Sequence, residues 1–127
     1  MLNVIIEKAV ILSNFIIYHN PRCSKSRQTL ELLKKKGINP EIILYLETPP
    51  SEEDLILILK KLKMKARELL RKVETDYKEQ NLSDPLKSET DIIKAMINFP
   101  KLIERPIIIH KNKAVLGRPP ENVLNII

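Results

Sequence analysis

The sequence predicts an α/β fold, and two features of its N-terminal third carry that prediction. Residues 15–18 form an apolar run typical of a buried strand, and the helical stripe of apolar residues that follows ends at Gly37. A second strand is predicted at 41–45, after a short connection. Because strands joined through a helix lie parallel with a right-handed crossover, a β-α-β unit opens the fold.

The middle of the chain is predicted to be helical. Ser51, with Asp54 three residues on, forms a capping-box-like start for the first of these helices. Residues 66–72 are expected to form a short helix, and Ser88 begins another that Pro100 ends.

The last third of the chain returns to strands. Two apolar triplets, 107–109 and 114–116, flank a polar turn at 111–113 and predict a β-hairpin, and a final helix is expected at about 120–127. The element order β-α-β, helical insert, β-β-α is that of a thioredoxin-like domain with a mixed four-stranded sheet.

The length of 127 residues suits one domain of ordinary size. We place it at 15–127, with a helical insert at about 51–99, and residues 1–14 form an N-terminal extension whose role the sequence does not indicate. Glu7 interrupts the apolar character of that extension and no small-residue cleavage site follows, so a signal peptide is not expected. No apolar run approaches the roughly 20 residues that span a bilayer, so no membrane contact is expected.

The formal net charge of +6 raises the question of a nucleic-acid partner. The lysine-rich runs at 34–36 and 60–65 lie near the ends of predicted helices, where cations complement the helix dipole. Few aromatic residues are present to stack on bases. A solvated helical face explains these lysines better, and no nucleic-acid partner is expected.

Cys23 is the single cysteine of the chain and lies between the first strand and the first helix. A thiol at a helix N-terminus faces unpaired backbone N–H groups and the positive end of the dipole, which favour the thiolate. The alternative is a buried, inert cysteine, but the neighbouring side chains are polar or cationic. One cysteine excludes an intramolecular disulfide and a cysteine-rich metal site, and it suits a reducing cytoplasmic location.

Other polar residues of this segment have two interpretations each. His19 either tunes the thiolate or bonds to backbone at the end of its strand. Ser26 and Arg27 either donate hydrogen bonds to the sulfur or substrate or serve, by default, in helix capping. His110 belongs to no motif and is expected at the surface, and no metal site is expected from two histidines without a clustered carboxylate.

Five segments form a distinctive combination, and they are 19–27, 43–50, 66–72, 104–107 and 117–120. Together they resemble the ArsC family, the glutaredoxin-coupled arsenate reductases of the thioredoxin fold. The resemblance spans 15–127, and the sequence of its opening motif is most similar to the YfgD-like branch.

This resemblance implies a nucleophilic Cys23 and three arginines, Arg71, Arg105 and Arg118, that converge on an oxyanion. It also implies a cis peptide bond before Pro106, and X–Pro bonds are the only ones for which cis is inexpensive. Guanidinium forks suit a tetrahedral oxyanion because they form paired, charge-assisted hydrogen bonds. From the residues alone, Arg71 could instead complement the dipole of its short helix, and Arg118 could bond a turn at the hairpin exit.

The resemblance further implies reduction of arsenate to arsenite, with glutathione as co-substrate, a mixed disulfide on Cys23 and glutaredoxin as partner. No bound cofactor is implied, and a monomer is expected. One alternative is a thiol oxidoreductase of the same fold with a different substrate. A second is an Spx-like regulator that binds RNA polymerase, which is disfavoured because Ser26 stands where those regulators carry the second cysteine of Cys-x-x-Cys.

Overall fold

The computed structural model describes residues 14–127. Apart from Asn14, the predicted N-terminal extension therefore lies outside the described residues. The described chain forms two compact units. We call residues 14–44 together with Arg105–Ile127 the thioredoxin-like unit, and Tyr45–Glu104 the helical unit.

One sheet organises the described part of the thioredoxin-like unit, with the strand order β2-β1-β3-β4. Strand β1 pairs with β2 in parallel and with β3 antiparallel, and β3 pairs with β4 antiparallel. The parallel β1–β2 pair and the mixed sheet confirm the predicted thioredoxin-like plan. The strands are β1 (Phe15–His19), β2 (Glu41–Leu44), β3 (Ile107–His110) and β4 (Lys113–Leu116).

Helix α1 (Ser24–Lys35) connects the two parallel strands. Gly37 follows its C-terminus with φ of +76°, and its N–H donates to the carbonyl of Lys34 at 2.9 Å. Glycine adopts this left-handed conformation without steric cost, so it ends the helix as predicted. The buried core of this unit consists of Phe15, Ile17, Leu33, Ile38, Ile108, Val123 and Ile126.

The C-terminal segment forms a 3₁₀ helix over Pro120–Ile126. Its buried residues are Pro120, Val123 and Ile126, spaced by three, as expected for three residues per turn. His110, expected at the surface, is half-buried. Its ring stacks on Phe15 with centroids 3.8 Å apart, and its Nδ1 lies 2.6 Å from the carbonyl oxygen of Ile126. The hairpin prediction missed this role because the partners come from distant segments.

The helical unit contains, in order, α2 (Glu52–Leu62), α3 (Ala66–Leu69), α4 (Thr75–Glu79), α5 (Glu89–Asn98) and a 3₁₀ turn (Pro100–Leu102). The predicted caps are present, since the hydroxyls of Ser51 and Ser88 accept from backbone N–H groups three residues on. Helix α3 ends earlier than the predicted 72, because Leu70 leaves the helix to form a β-bridge with Ile103. Helix α4 was not predicted, and it has no buried residue that could produce an apolar stripe.

Within residues 14–127, no helix combines the length and the apolar content needed to span a lipid bilayer.

Candidate active site

Cys23 is the N-cap residue of α1, with an extended backbone (φ −92°, ψ 124°). Its N–H donates to the carbonyl of Asn20 at 3.0 Å, and its own carbonyl accepts from the N–H of Arg27 at 3.0 Å, the first bond of the helix. The side chain is half-buried. The sequence predicts the thiol at the first turn of the helix. In the structure Cys23 is the N-cap, so its side chain lies beside the unpaired N–H groups of that turn.

The pKa of the Cys23 thiol reflects two opposing influences. Burial raises the pKa, whereas the backbone N–H of Ser26, the charge of Arg105, the N–H of Lys25 and a side-chain hydrogen bond from Arg105 lower it. The lowering influences prevail, so the pKa lies below its ordinary value. Hydrogen bonds and positive charge stabilise the anion, and the thiolate is the reactive form of cysteine.

Arg118 reaches the sulfur from the loop after β4. Its Nη1 lies 3.8 Å from Cys23 Sγ and donates to the carbonyl of Arg105 at 3.3 Å. Both peptide bonds that follow these arginines, Arg105–Pro106 and Arg118–Pro119, are cis. The cis bond expected at Pro106 is thus present, and a second occurs at Pro119. The two loops that carry the arginines therefore meet beside the thiol.

Gly117 allows these loops to lie close to α1. A Cβ at this position would approach Thr29 Oγ1 to 2.4 Å and Pro106 Cγ to 2.8 Å, distances that real Cβ atoms essentially never show. The N–H of Gly117 donates to the carbonyl of Pro106 at 2.9 Å, and the Thr29 hydroxyl donates to the carbonyl of Gly117 at 3.3 Å. Because no side chain intervenes, Arg118 leaves the loop within reach of the helix N-terminus.

His19 and Ser26 brace the loop that carries Cys23. Ser26 is fully buried and His19 nearly so, with His19 Nδ1 2.6 Å from Ser26 Oγ, which also accepts from the N–H of Asn20 at 3.0 Å. Burial, followed by the charges of Lys34 and Arg27, lowers the pKa of His19 and favours its neutral form. His19 thus bonds a side chain rather than backbone, and Ser26 serves the loop rather than a helix cap.

Arg27 fastens the other side of the same loop, because its Nη1 donates to the carbonyl of Pro21 at 2.9 Å. The side chains of His19, Ser26 and Arg27 are consequently among those that hold the residues between β1 and α1. The sequence identified Ser26 and Arg27 as candidates for hydrogen bonds to the sulfur or substrate. Their side chains bond the loop instead, and the backbone N–H of Ser26 bonds the sulfur.

Arg71 belongs to the helical unit, and its contacts lie within that unit. Its N–H donates to the carbonyl of Leu102 at 2.7 Å, and its guanidinium pairs with Glu74 through Nη1 and with Glu104, whose Oε1 lies 3.8 Å from Nε. The structure therefore brings Arg105 and Arg118 to Cys23 within one unit. The convergence of Arg71 on the same oxyanion stays a prediction.

Arg67 is a prominent residue that the sequence analysis did not single out. Its guanidinium donates to three backbone carbonyls, those of Leu82, Asp84 and Lys87, at 2.7–2.8 Å. It therefore ties α3 to the segment before α5. Arg67 lies in the 66–72 motif, which could have marked it as important. Its role could not be predicted, because its partners are main-chain oxygens and no pattern of side chains indicates them.

These features define a thioredoxin-like domain whose single cysteine has a lowered pKa at a helix N-terminus, beside a cis-proline loop. The family model of the ArsC family matches residues 18–126, and the chain belongs to that family.

Relatives span nearly the whole chain. YfgD of Escherichia coli, an uncharacterised protein, is 57% identical over 112 residues, covering 87% of this chain and 94% of its own. An arsenate reductase of Haemophilus influenzae is 49% identical over 113 residues, covering 88% and 97% respectively. The solved structure of an arsenate reductase from Vibrio cholerae superposes with a TM-score of 0.87 at 49% identity, covering 89% of this chain and 97% of that one.

Proposed function

We propose that this protein reduces arsenate to arsenite, using Cys23 as nucleophile and glutathione as the source of the second thiol. The observation that carries the proposal is the contact between Cys23 and two arginines: Arg118 Nη1 lies 3.8 Å from the sulfur, and Arg105 lowers the pKa of the thiol. Family membership and the names of the relatives support arsenate as the substrate.

The first step is attack of the Cys23 thiolate on arsenic(V). A sulfur–arsenic bond forms, an arsenic–oxygen bond breaks, and the oxygen leaves as water after taking up a proton. Arg105 and Arg118, joined by Arg71, stabilise the negative charge of the remaining oxygens through charge-assisted hydrogen bonds. The positive charges serve both reactants, since they hold the oxyanion and keep the sulfur ionised.

The second step is attack of glutathione thiolate on the sulfur of Cys23. A disulfide forms between the two sulfurs, the sulfur–arsenic bond breaks, and its electron pair stays on arsenic, which leaves as arsenite. Two thiols are oxidised to one disulfide while arsenic gains two electrons. Glutaredoxin then restores Cys23 by thiol–disulfide exchange, and this external route suits a chain with a single cysteine.

The test is an assay of arsenate-dependent NADPH oxidation by the purified protein with glutathione, glutathione reductase and glutaredoxin. We expect oxidation that requires all components, and a mass increase of one glutathionyl group on Cys23 when glutaredoxin is omitted. Phosphate in place of arsenate should give no oxidation, since phosphorus is not reduced by thiols. NADPH oxidation with small disulfide substrates that exceeds the rate without this protein, and none with arsenate, would instead identify a thiol oxidoreductase of different specificity.

A further inference from the structure

Arg71 has two anionic partners within the helical unit. Glu74, three residues on, pairs with its Nη1, and Glu104 Oε1 lies 3.8 Å from its Nε. The exposed fractions of the Arg71 and Glu74 side chains are 27% and 21%. The pair is thus partly shielded from water, which strengthens an ion pair relative to a fully exposed one.

The backbone around Arg71 is fixed, so that only side chains are free to exchange partners. The N–H of Arg71 donates to Leu102 at 2.7 Å, and Leu70 just before it bridges to Ile103. On the other side the N–H of Glu74 donates to the carbonyl of Arg71 at 3.3 Å. These bonds fix the backbone of both residues and keep the Glu74 carboxylate within reach of the guanidinium.

A carboxylate and a tetrahedral oxyanion make the same kind of contact with arginine. Both accept paired N–H bonds from the planar guanidinium fork, and each donor serves one strong acceptor at a time. Glu74 takes one N–H donor of Nη1, and its negative charge opposes an incoming oxyanion, so a paired contact that uses this donor forms only when the carboxylate moves aside. Binding at Arg71 is then an exchange of one anion for another rather than a simple addition.

We propose that Glu74 is an affinity-determining residue that competes intramolecularly with the oxyanion for Arg71. The inference rests on the proposed function, in which Arg71 is a ligand of the oxyanion. Glu74 pairs with the guanidinium and raises the dissociation constant of every anion that must displace it. Arsenate capture is consequently weaker than the arginines alone would allow.

Glu74→Gln tests this inference, because it removes the negative charge while keeping the shape of the side chain. Sulfate is the probe for binding by calorimetry, since it is a tetrahedral dianion that thiols do not reduce. We expect the dissociation constant for sulfate and the KM for arsenate to fall by about two- to fivefold, in keeping with the modest strength of such pairs, without a rise in kcat. The control is Glu79→Gln, which removes the same charge from the exposed end of the same helix, α4.

The outcomes separate the two proposals. The gain from Glu74→Gln should disappear in an Arg71→Gln background, where no guanidinium remains to be released. Suppose that Arg71→Gln weakens sulfate binding. If Glu74→Gln then binds sulfate no more tightly than the Glu79→Gln control, the competition is overturned and the oxyanion role of Arg71 stays intact. Binding unaffected by Arg71→Gln would overturn that role as well, and arsenate turnover would then depend on Arg105 and Arg118.

Discussion

The thioredoxin-like unit and the helical unit use arginine in different ways. In the thioredoxin-like unit, Arg118 contacts Cys23 Sγ at 3.8 Å and one carbonyl at 3.3 Å, both long distances for its donors. In the helical unit, Arg67 donates to three carbonyls at 2.7–2.8 Å, and Arg71 pairs with two carboxylates. The partners, rather than the residue type, separate a guanidinium that holds the fold from one that is available to a ligand.

This difference gives a rule that mutations can test. An arginine whose donors are taken by main-chain carbonyls should contribute to stability and little to chemistry, whereas one beside the thiolate should show the reverse. Arg71, whose side-chain partners are carboxylates, should fall between the two.

The largest effect is expected from Cys23→Ser. A hydroxyl is not ionised at neutral pH and does not form the disulfide of the second step, so arsenate turnover should fall by more than about a thousandfold. The coupled NADPH assay measures it, with Ser24→Ala, an exposed neighbour, as the matched control. Substantial turnover in the Cys23→Ser protein would show that the chemistry does not occur at this sulfur.

Arg105→Ala and Arg118→Ala should have the next largest effect. Loss of one charge-assisted hydrogen bond corresponds to about a 10- to 100-fold decrease in kcat/KM for arsenate. Arg105→Ala should also raise the pKa of Cys23, because the charge and hydrogen bond of Arg105 lower it. The thiolate then forms only at higher pH, and the midpoint of iodoacetamide labelling against pH should move upward.

The control for both arginine variants is Arg22→Ala, an exposed arginine directly before Cys23 in the chain. It removes the same charge without removing a contact to the sulfur. If Arg22→Ala matched the other two variants in kcat/KM and matched Arg105→Ala in labelling midpoint, net charge rather than placement would govern the site. The contrast between arginines that contact the thiol and arginines that do not would then fail.

A secondary-structure element of this protein can be predicted from the sequence when the pattern that specifies it lies within a few neighbouring residues. The first strand, helix α1 and its end at Gly37 could be predicted, because the spacing of apolar residues and the residue types at turns determine these elements within a few positions of the chain. The caps at Ser51 and Ser88 were predictable for the same reason. Helix α4 was missed because it buries no side chain, so no apolar stripe marks it.

The candidate site shows the same limit more sharply. The lowered pKa of Cys23 could be predicted from its position before a helix, whereas Arg105 and Arg118 could be placed beside it only through family resemblance, since they lie about 80 to 95 residues away in the sequence. The hydrogen bond between His19 and Ser26 and the carbonyl contacts of Arg67 depend on tertiary packing. No local pattern encodes them, so they had to be read from the structure.

Arg67→Ala should lower stability rather than chemistry. Three carbonyls of the segment before α5 lose a charged donor, and we expect the free energy of unfolding to fall by about 2–3 kcal/mol. Urea denaturation measures it, with the exposed Lys78→Ala as control and Arg67→Lys as a partial rescue. An unchanged unfolding free energy with a large loss of kcat would place Arg67 among the chemical residues instead.

The smallest expected effect is a pH dependence of stability that comes from His19. Burial lowers its pKa in the folded protein, so the unfolded chain binds the proton more readily, and stability falls as the pH drops below the ordinary histidine pKa of about 6.5. The fall ends at the lowered pKa of the folded state. His19→Asn should flatten this part of the curve of unfolding free energy against pH, whereas His110→Gln should keep the contribution of His19. A curve of equal slope in wild type and His19→Asn would mean that burial does not resist protonation of His19, and the His19–Ser26 contact would then be insensitive to pH.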